Sequence, residues 1–217
     1  PAETDVLFWL GGVRAGPAQL AALDALRERG GSCVVSVESL QIQEAWEAGT
    51  LRASFERDAQ RERGGAALLA HTGLVALEGL LLDPRGAEAA GPAGEAQLVT
   101  WHVRATPDHQ DFRGLVGQPN APLYFAAPTA FALDPARLAE LGLRATVLAS
   151  ASDGASLHAL PAKALDASAA ASLEGDPAPR AALLARLEST DSWRGSRFVL
   201  ADGGLLSDAS LDEPPFG

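Results

Sequence analysis

Apolar and polar positions along the first forty residues predict a strand, a helix and a second strand. Residues 6–10 form a compact apolar run that closes on paired glycines and reads as a buried strand. Pro17 suits the first turn of a helix, with Leu20, Leu23 and Leu26 along one side and Arg27, Glu28 and Arg29 in solvent. Gly30 and Gly31 stop that helix, because glycine accepts the left-handed conformation a C-terminal cap needs. The β-branched run at 32–37 is the second strand. This order is a βαβ unit and implies a parallel pair.

Further on, residues 41–63 read as helical, with Ile42, Ala45, Trp46 and Gly49 on one face and Thr50 placed to cap a second piece. A short helix at 66–73 leads to a strand at 74–83, bulged at Gly79. Residues 84–96 are loop-like. Residues 97–105 alternate as a strand, and 106–122 form a polar loop marked by prolines. One or two short strands follow at 123–133. A helix at 134–142 has Asp134 as its cap, Pro135 in its first turn and Gly142 past its end. Residues 143–150 are a strand, and 166–179 are low in complexity and exposed. Residues 180–189 fit a helix face or a strand, and 196–204 form a strand that ends at Asp202 and a glycine turn.

The expected fold is α/β: a mainly parallel, flavodoxin-like or amidotransferase-like sheet with helices on both faces. It is one domain over residues 1–217, with an irregular, loop-rich insertion at about 83–125 and a poorly packed acidic tail at about 207–217. The length suffices for a sizeable core.

Charge narrows the partners. Against 28 acidic residues stand 17 basic ones, a net charge of −11, which argues against unaided binding to nucleic acid or anionic lipid. Lys163 is the only lysine, a bias of composition rather than of function. One cysteine excludes an internal disulfide. No apolar run reaches the ~20 residues that span a bilayer, so no direct membrane insertion is expected. A start at Pro1 reads as a processed or excised piece whose targeting segments have been removed.

The candidate chemistry is sparse. Cys33 follows a helix and two glycines and precedes its strand, the reverse of a nucleophile elbow, so it reads as a small buried apolar residue. The segment at 11–17 lacks the Lys-Ser/Thr of a phosphate loop and the glycine spacing of a dinucleotide fingerprint. His71 lies near a helix end and reads as a cap, and His158 stands alone. His102, Asp108, His109 and Asp111 form the one His/carboxylate cluster, without the tight spacing of a metal site. No cofactor or metal is expected. Two polar loops follow strands and would project from the carboxyl edge of a parallel sheet, where such sheets hold ligands. They nominate Ser150, Ser152, Asp153, Asp202, Ser207 and Asp208 as ligand-binding residues, with ordinary turn residues as the plainer reading.

The stretch TDVLFWLGG…PAQLAALDALRERGGSCVVSVESL, followed in order by LEGLLLDPR, QLVTWHVRA, YFAAPTAFALD, TVLASASDGAS and SRFVLADGGLLSD, resembles gliding-motility-type ABC-transporter auxiliary proteins. The resemblance implies an extracytoplasmic domain similar to class I glutamine amidotransferases, without an established catalytic triad. It also favours a strand at 181–188. Where Ser-Trp is expected after one loop, the chain has Ala-Ser-Leu at 155–157, and no catalytic residue carries over. The resemblance implies a non-catalytic periplasmic or extracytoplasmic module of an ABC-transport auxiliary subunit, anchored through segments outside this chain. It would bind membrane ABC-transporter subunits or a carbohydrate-like (glycan) ligand. The alternative is a hydrolase or amidotransferase-like enzyme that uses Cys33 or a Ser/Asp/His set.

Overall fold

The structure, a computed structural model, describes residues 6–10, 15–94, 96–110, 123–190 and 195–202. The expected βαβ unit forms. β1 (Val6–Trp9) pairs in parallel with β2 (Ser32–Ser36), Leu7 opposite Cys33, and α1 (Pro17–Glu28) connects them. α1 ends in a Schellman arrangement. Gly30 N–H donates to Arg27 O at 2.9 Å and Gly31 N–H to Leu26 O at 3.0 Å, with Gly30 at φ 88°. β1 itself is an exposed sheet edge rather than the buried strand expected, with Phe8 61% exposed.

β18 (Arg197–Leu200) lies parallel to β2 on its other side, and there the parallel character stops. β17 (Ala182–Ser189) runs antiparallel to β18 and to β13 (Leu143–Ser150), which bulges between Val147 and Ser150. β10 (Thr106–Pro107), β12 (Phe131–Leu133) and β5 (Leu74–Ala76) join the same eight-stranded sheet through antiparallel pairs. The mainly parallel, flavodoxin-like or amidotransferase-like sheet with helices on both faces is therefore corrected to a mixed, largely antiparallel one. Only two of its pairings are parallel. A parallel sheet needs a crossover between successive strands, and too few helices form to supply them. The described α-helices are α1, α2 (Ala59–His71), α3 (Pro135–Glu140) and the single turn α4 (Ala167–Ala170).

The largest departure is at 41–63. These residues form a hairpin, β3 (Leu40–Glu47) and β4 (Thr50–Arg57), before α2 begins. Ile42, Ala45, Trp46 and Gly49 match helical spacing, but Leu40, Ile42 and Trp46 also match period two, as do Leu51, Ala53 and Phe55. Ala48 (φ 50°) and Gly49 (φ 79°) both take the left-handed region, as a two-residue hairpin turn requires.

The expected strand at 74–83 divides at Gly79 into β5 and β6 (Leu80–Leu82), which belong to different sheets. The irregular insertion is also corrected. It contains the hairpin β7 (Ala87–Ala90) and β8 (Ala96–Val99), the strand β9 (His102–Arg104), and β11 (Tyr124–Ala126), which pairs with β9. The low-complexity stretch at 166–179 holds α4 and the short strand β16 (Asp176–Pro177), with Ala167 and Ala170 buried. The helix capped by Asp134, the strand at 143–150 and the two strands within 123–133 form as read.

Two apolar clusters result. One packs α1, α2 and α3 on the large sheet through residues such as Leu23, Val35, Leu68, Phe131 and Leu183. The other gathers the hairpin, β6, β8 and α4 around Trp101, whose ring meets Phe55 edge-on at 5.9 Å.

Candidate functional site

At the carboxyl end of β2 the chain leaves the sheet through Val37, Glu38 and Ser39, beside the first turns of α2. A cleft of about 250 Å³ opens there, closed on its far side by residues 76–79 and Thr129. Its apolar lining consists of Val37, Leu40, Ala66, Ala76 and Leu77. Ser39 fixes one wall, donating its N–H to Thr129 Oγ1 at 2.8 Å while the two hydroxyls meet at 2.8 Å.

The rim is charged and nearly self-neutralising, with Arg57, Arg61 and Arg63 against Glu38, Glu62 and Glu78. Asp58 caps α2, accepting from Gln60 N (2.9 Å) and Arg61 N (3.1 Å), so the dipole end of the helix is already satisfied. That cap orients Arg61, whose Nη1 lies 2.9 Å from Glu38 Oε2 and whose Nε lies 3.3 Å from Asp58 Oδ2. Arg57 lies 3.4 Å from Glu62. No aromatic ring lines the cleft among the described residues. The cleft is not among the places expected from sequence, because residues 41–63 read as helical, with Thr50 capping a second piece. The available signal was Asp58 before a helix-forming run.

The nominated loop residues lie elsewhere and none of the described ones lines the cleft. Ser152 binds the buried Asp83, its N–H and hydroxyl donating to the carboxyl oxygens at 2.8 and 2.7 Å. Asp153 is exposed, 3.9 Å from Arg180 Nε. Ser150 is fully buried and its hydroxyl has no partner, as is true of the shielded Thr106 Oγ1 opposite it. Asp202 accepts from Ala126 N at 2.9 Å. Ser152 and Asp202 are thus tied into framework contacts, while Ser150 and Asp202 stand at the same end of the sheet, on either side of β17. Ser207 and Asp208 lie outside the described residues.

The other candidates also resolve into local pairs. Cys33 is 2% exposed; burial raises its thiol pKa, against the opposing charges of Arg197 and Arg27. The His/carboxylate cluster disperses. His102 lies 2.8 Å from Glu44 Oε1, Asp108 pairs with Arg180, and Asp111 lies outside the described residues. Burial pushes Glu44 upward, yet His102 and the indole of Trp101 together hold it below its ordinary value. No group of three His, Cys, Asp or Glu side chains suited to a metal occurs among the described residues.

His71 ends α2 and reaches Asp24 of α1 at 2.9 Å; Asp24 also pairs with Arg197, which is 2% exposed. On β14 (Ser156–His158), Ser156 Oγ lies 2.8 Å from His158 Nε2, with the ring packed on Gly175. The pair is legible as Ser-Leu-His on one strand face, since residues two apart share a face. Neither residue lines the cleft. No protein-family model, curated protein or solved structure matches the chain.

Proposed function

We propose that this chain is a non-catalytic binding module that receives an apolar side chain of a partner protein in the cleft beside α2. The observation that carries the reading is the cleft's anatomy: an apolar lining inside a charged rim that holds two ion pairs, which is how protein-recognition pockets are built. A volume of about 250 Å³ suits one large side chain with its flanking backbone. A carbohydrate-like ligand is less well served, because sugars stack on aromatic rings and the described lining has none. The transport setting, an extracytoplasmic module that contacts ABC-transporter subunits, supplies a partner of the right class. It remains the proposed context, and an ABC permease and ATPase encoded beside this gene would support it.

A randomised peptide library selected on the purified chain tests the binding mode. Peptides with one large apolar anchor between charges of both signs are expected, with binding abolished by Ala66→Trp, which fills the cleft from an exposed helix position. Selected peptides that bind Ala66→Trp as well as the wild type, or binding to a glycan array with no peptide selected, would overturn it. The hydrolase alternative meets its test at Cys33. The thiol is expected to resist alkylation at pH 8 in the folded chain and to react on unfolding; prompt labelling of the native protein would reopen that alternative.

A further inference from the structure

We propose, on the reading of the cleft given above, that Arg63 and Glu78 select the partner segment by charge. Its apolar anchor enters the cleft with an acidic residue against Arg63 and a basic residue against Glu78. Most of the rim charges are already used within the chain. Arg61 is taken by Glu38 and Asp58, at 2.9 and 3.3 Å, and Arg57 by Glu62 at 3.4 Å. Arg63 on α2 and Glu78 on the turn between β5 and β6 are the remainder. Both are exposed, and among the described residues their side chains pair neither with each other nor with any other group.

The fold holds both charges in place. Arg63 and Ala66 are three apart on α2, so the arginine stem stands beside the apolar lining. The cap from Asp58 fixes the start of that helix. On the turn, Leu77 N–H donates to Ala130 O at 2.9 Å, and Gly79 takes φ 130°. A Cβ at Gly79 would lie 2.7 Å from His158 O, so the turn that carries Glu78 is held against β14. Charges on supports fixed before binding lose less freedom when a partner arrives.

Charge complementarity selects the occupant. An unpaired cation and an unpaired anion on one rim favour a ligand that brings one charge of each sign. A segment carrying an acidic residue, a large apolar residue and a basic residue meets that condition and brings no like charges together. A segment with two acidic flanks meets Glu78, and one with two basic flanks meets Arg63, so each is repelled at one end. The net charge of −11 on the whole chain weighs further against a purely acidic segment.

The test uses peptides selected on the purified chain whose binding Ala66→Trp abolishes. Fluorescence anisotropy at about 150 mM salt, where long-range charge effects are screened, compares the wild type with Arg63→Glu and Glu78→Arg. Each reversal should weaken binding at least about fivefold, since it replaces an attraction by a repulsion. Exchanging the acidic residue of the peptide for Lys should rescue Arg63→Glu, and exchanging its basic residue for Glu should rescue Glu78→Arg. Arg85→Glu, exposed and outside the cleft, should change nothing. Cleft-dependent peptides that are indifferent to both reversals, or rescued by neither exchange, overturn the selection by charge and leave the cleft reading standing. Peptides indifferent to Ala66→Trp, or no peptide at all, overturn both. Circular dichroism confirms that each variant folds.

Discussion

Ser152 and Asp83, far apart in sequence, meet through two hydrogen bonds to one carboxyl group: N–H to Oδ2 at 2.8 Å and hydroxyl to Oδ1 at 2.7 Å. Arg85 N–H adds a third at 2.8 Å. Asp83 is fully buried, and its two bonds with Ser152 operate away from water, whereas the one from the exposed Arg85 is only part-buried. The contact ties the turn after β6 to the loop after β13.

Truncating Asp83 strands the two Ser152 donors in the interior. Asp83→Ala is expected to destabilise by about 3 kcal/mol, and Ser152→Ala, which removes one of the bonds, by about 1 kcal/mol. Asp83→Asn should fall between them. Urea unfolding measures all three, and equal midpoints for Asp83→Ala and wild type would mean that this contact holds nothing.

Asp24 sits between Arg197 and His71. Burial alone would raise its pKa, but Arg197 and then His71 hold it below its ordinary value of 3.8. A carboxyl group depressed on folding contributes stability that is present above its unfolded pKa. That stability is lost as the pH falls through the folded value. Glu44, lowered from 4.5, adds to the same trend. Stability should therefore decline below about pH 5, and the decline should be shallower in Asp24→Asn. At pH 7, Asp24→Ala is expected to cost about 2 kcal/mol. That is less than the full penalty for a broken buried pair because Asp24 is partly exposed, although Arg197 is left enclosed. Replacing both partners with apolar residues should recover part of the loss, and strict additivity of the two changes would argue against the coupling.

Ala48 occupies a turn position with φ 50°, where a Cβ is disfavoured. Asn tolerates that conformation, so Ala48→Asn should stabilise by about 1 kcal/mol and raise the melting temperature. A lowered melting temperature would show that the hairpin turn differs from the one described.

Local signals were legible where one reading of the pattern was available. Asp134, Pro135 and Gly142 bounded α3 because capping and termination act within a few residues. Gly30 and Gly31 marked the end of α1 for the same reason, and Gly195 adds a constraint that only the fold reveals. A Cβ at Gly195 would lie 1.5 Å from Gly31 O, so the start of β18 approaches the double glycine as no other residue could. The region at 41–63 was not legible, because Ile42 and Trp46 satisfy two periods at once. Tertiary packing chose the strand by placing Leu51 and Ala53 against Trp101. The candidate cleft was hidden with it, since its rim is made by residues on either side of that hairpin.

The βαβ start, the cap of α3, the strand at 143–150 and the acidic balance were all legible before folding, as consequences of neighbouring residues or of composition. The antiparallel pairing of most strands, the bonding of Ser152 to Asp83 and the place of β1 at the end of the strand order among the described residues came from the folded chain alone. Strand pairing and burial depend on partners distant in the chain, and no local period records which partner will be met.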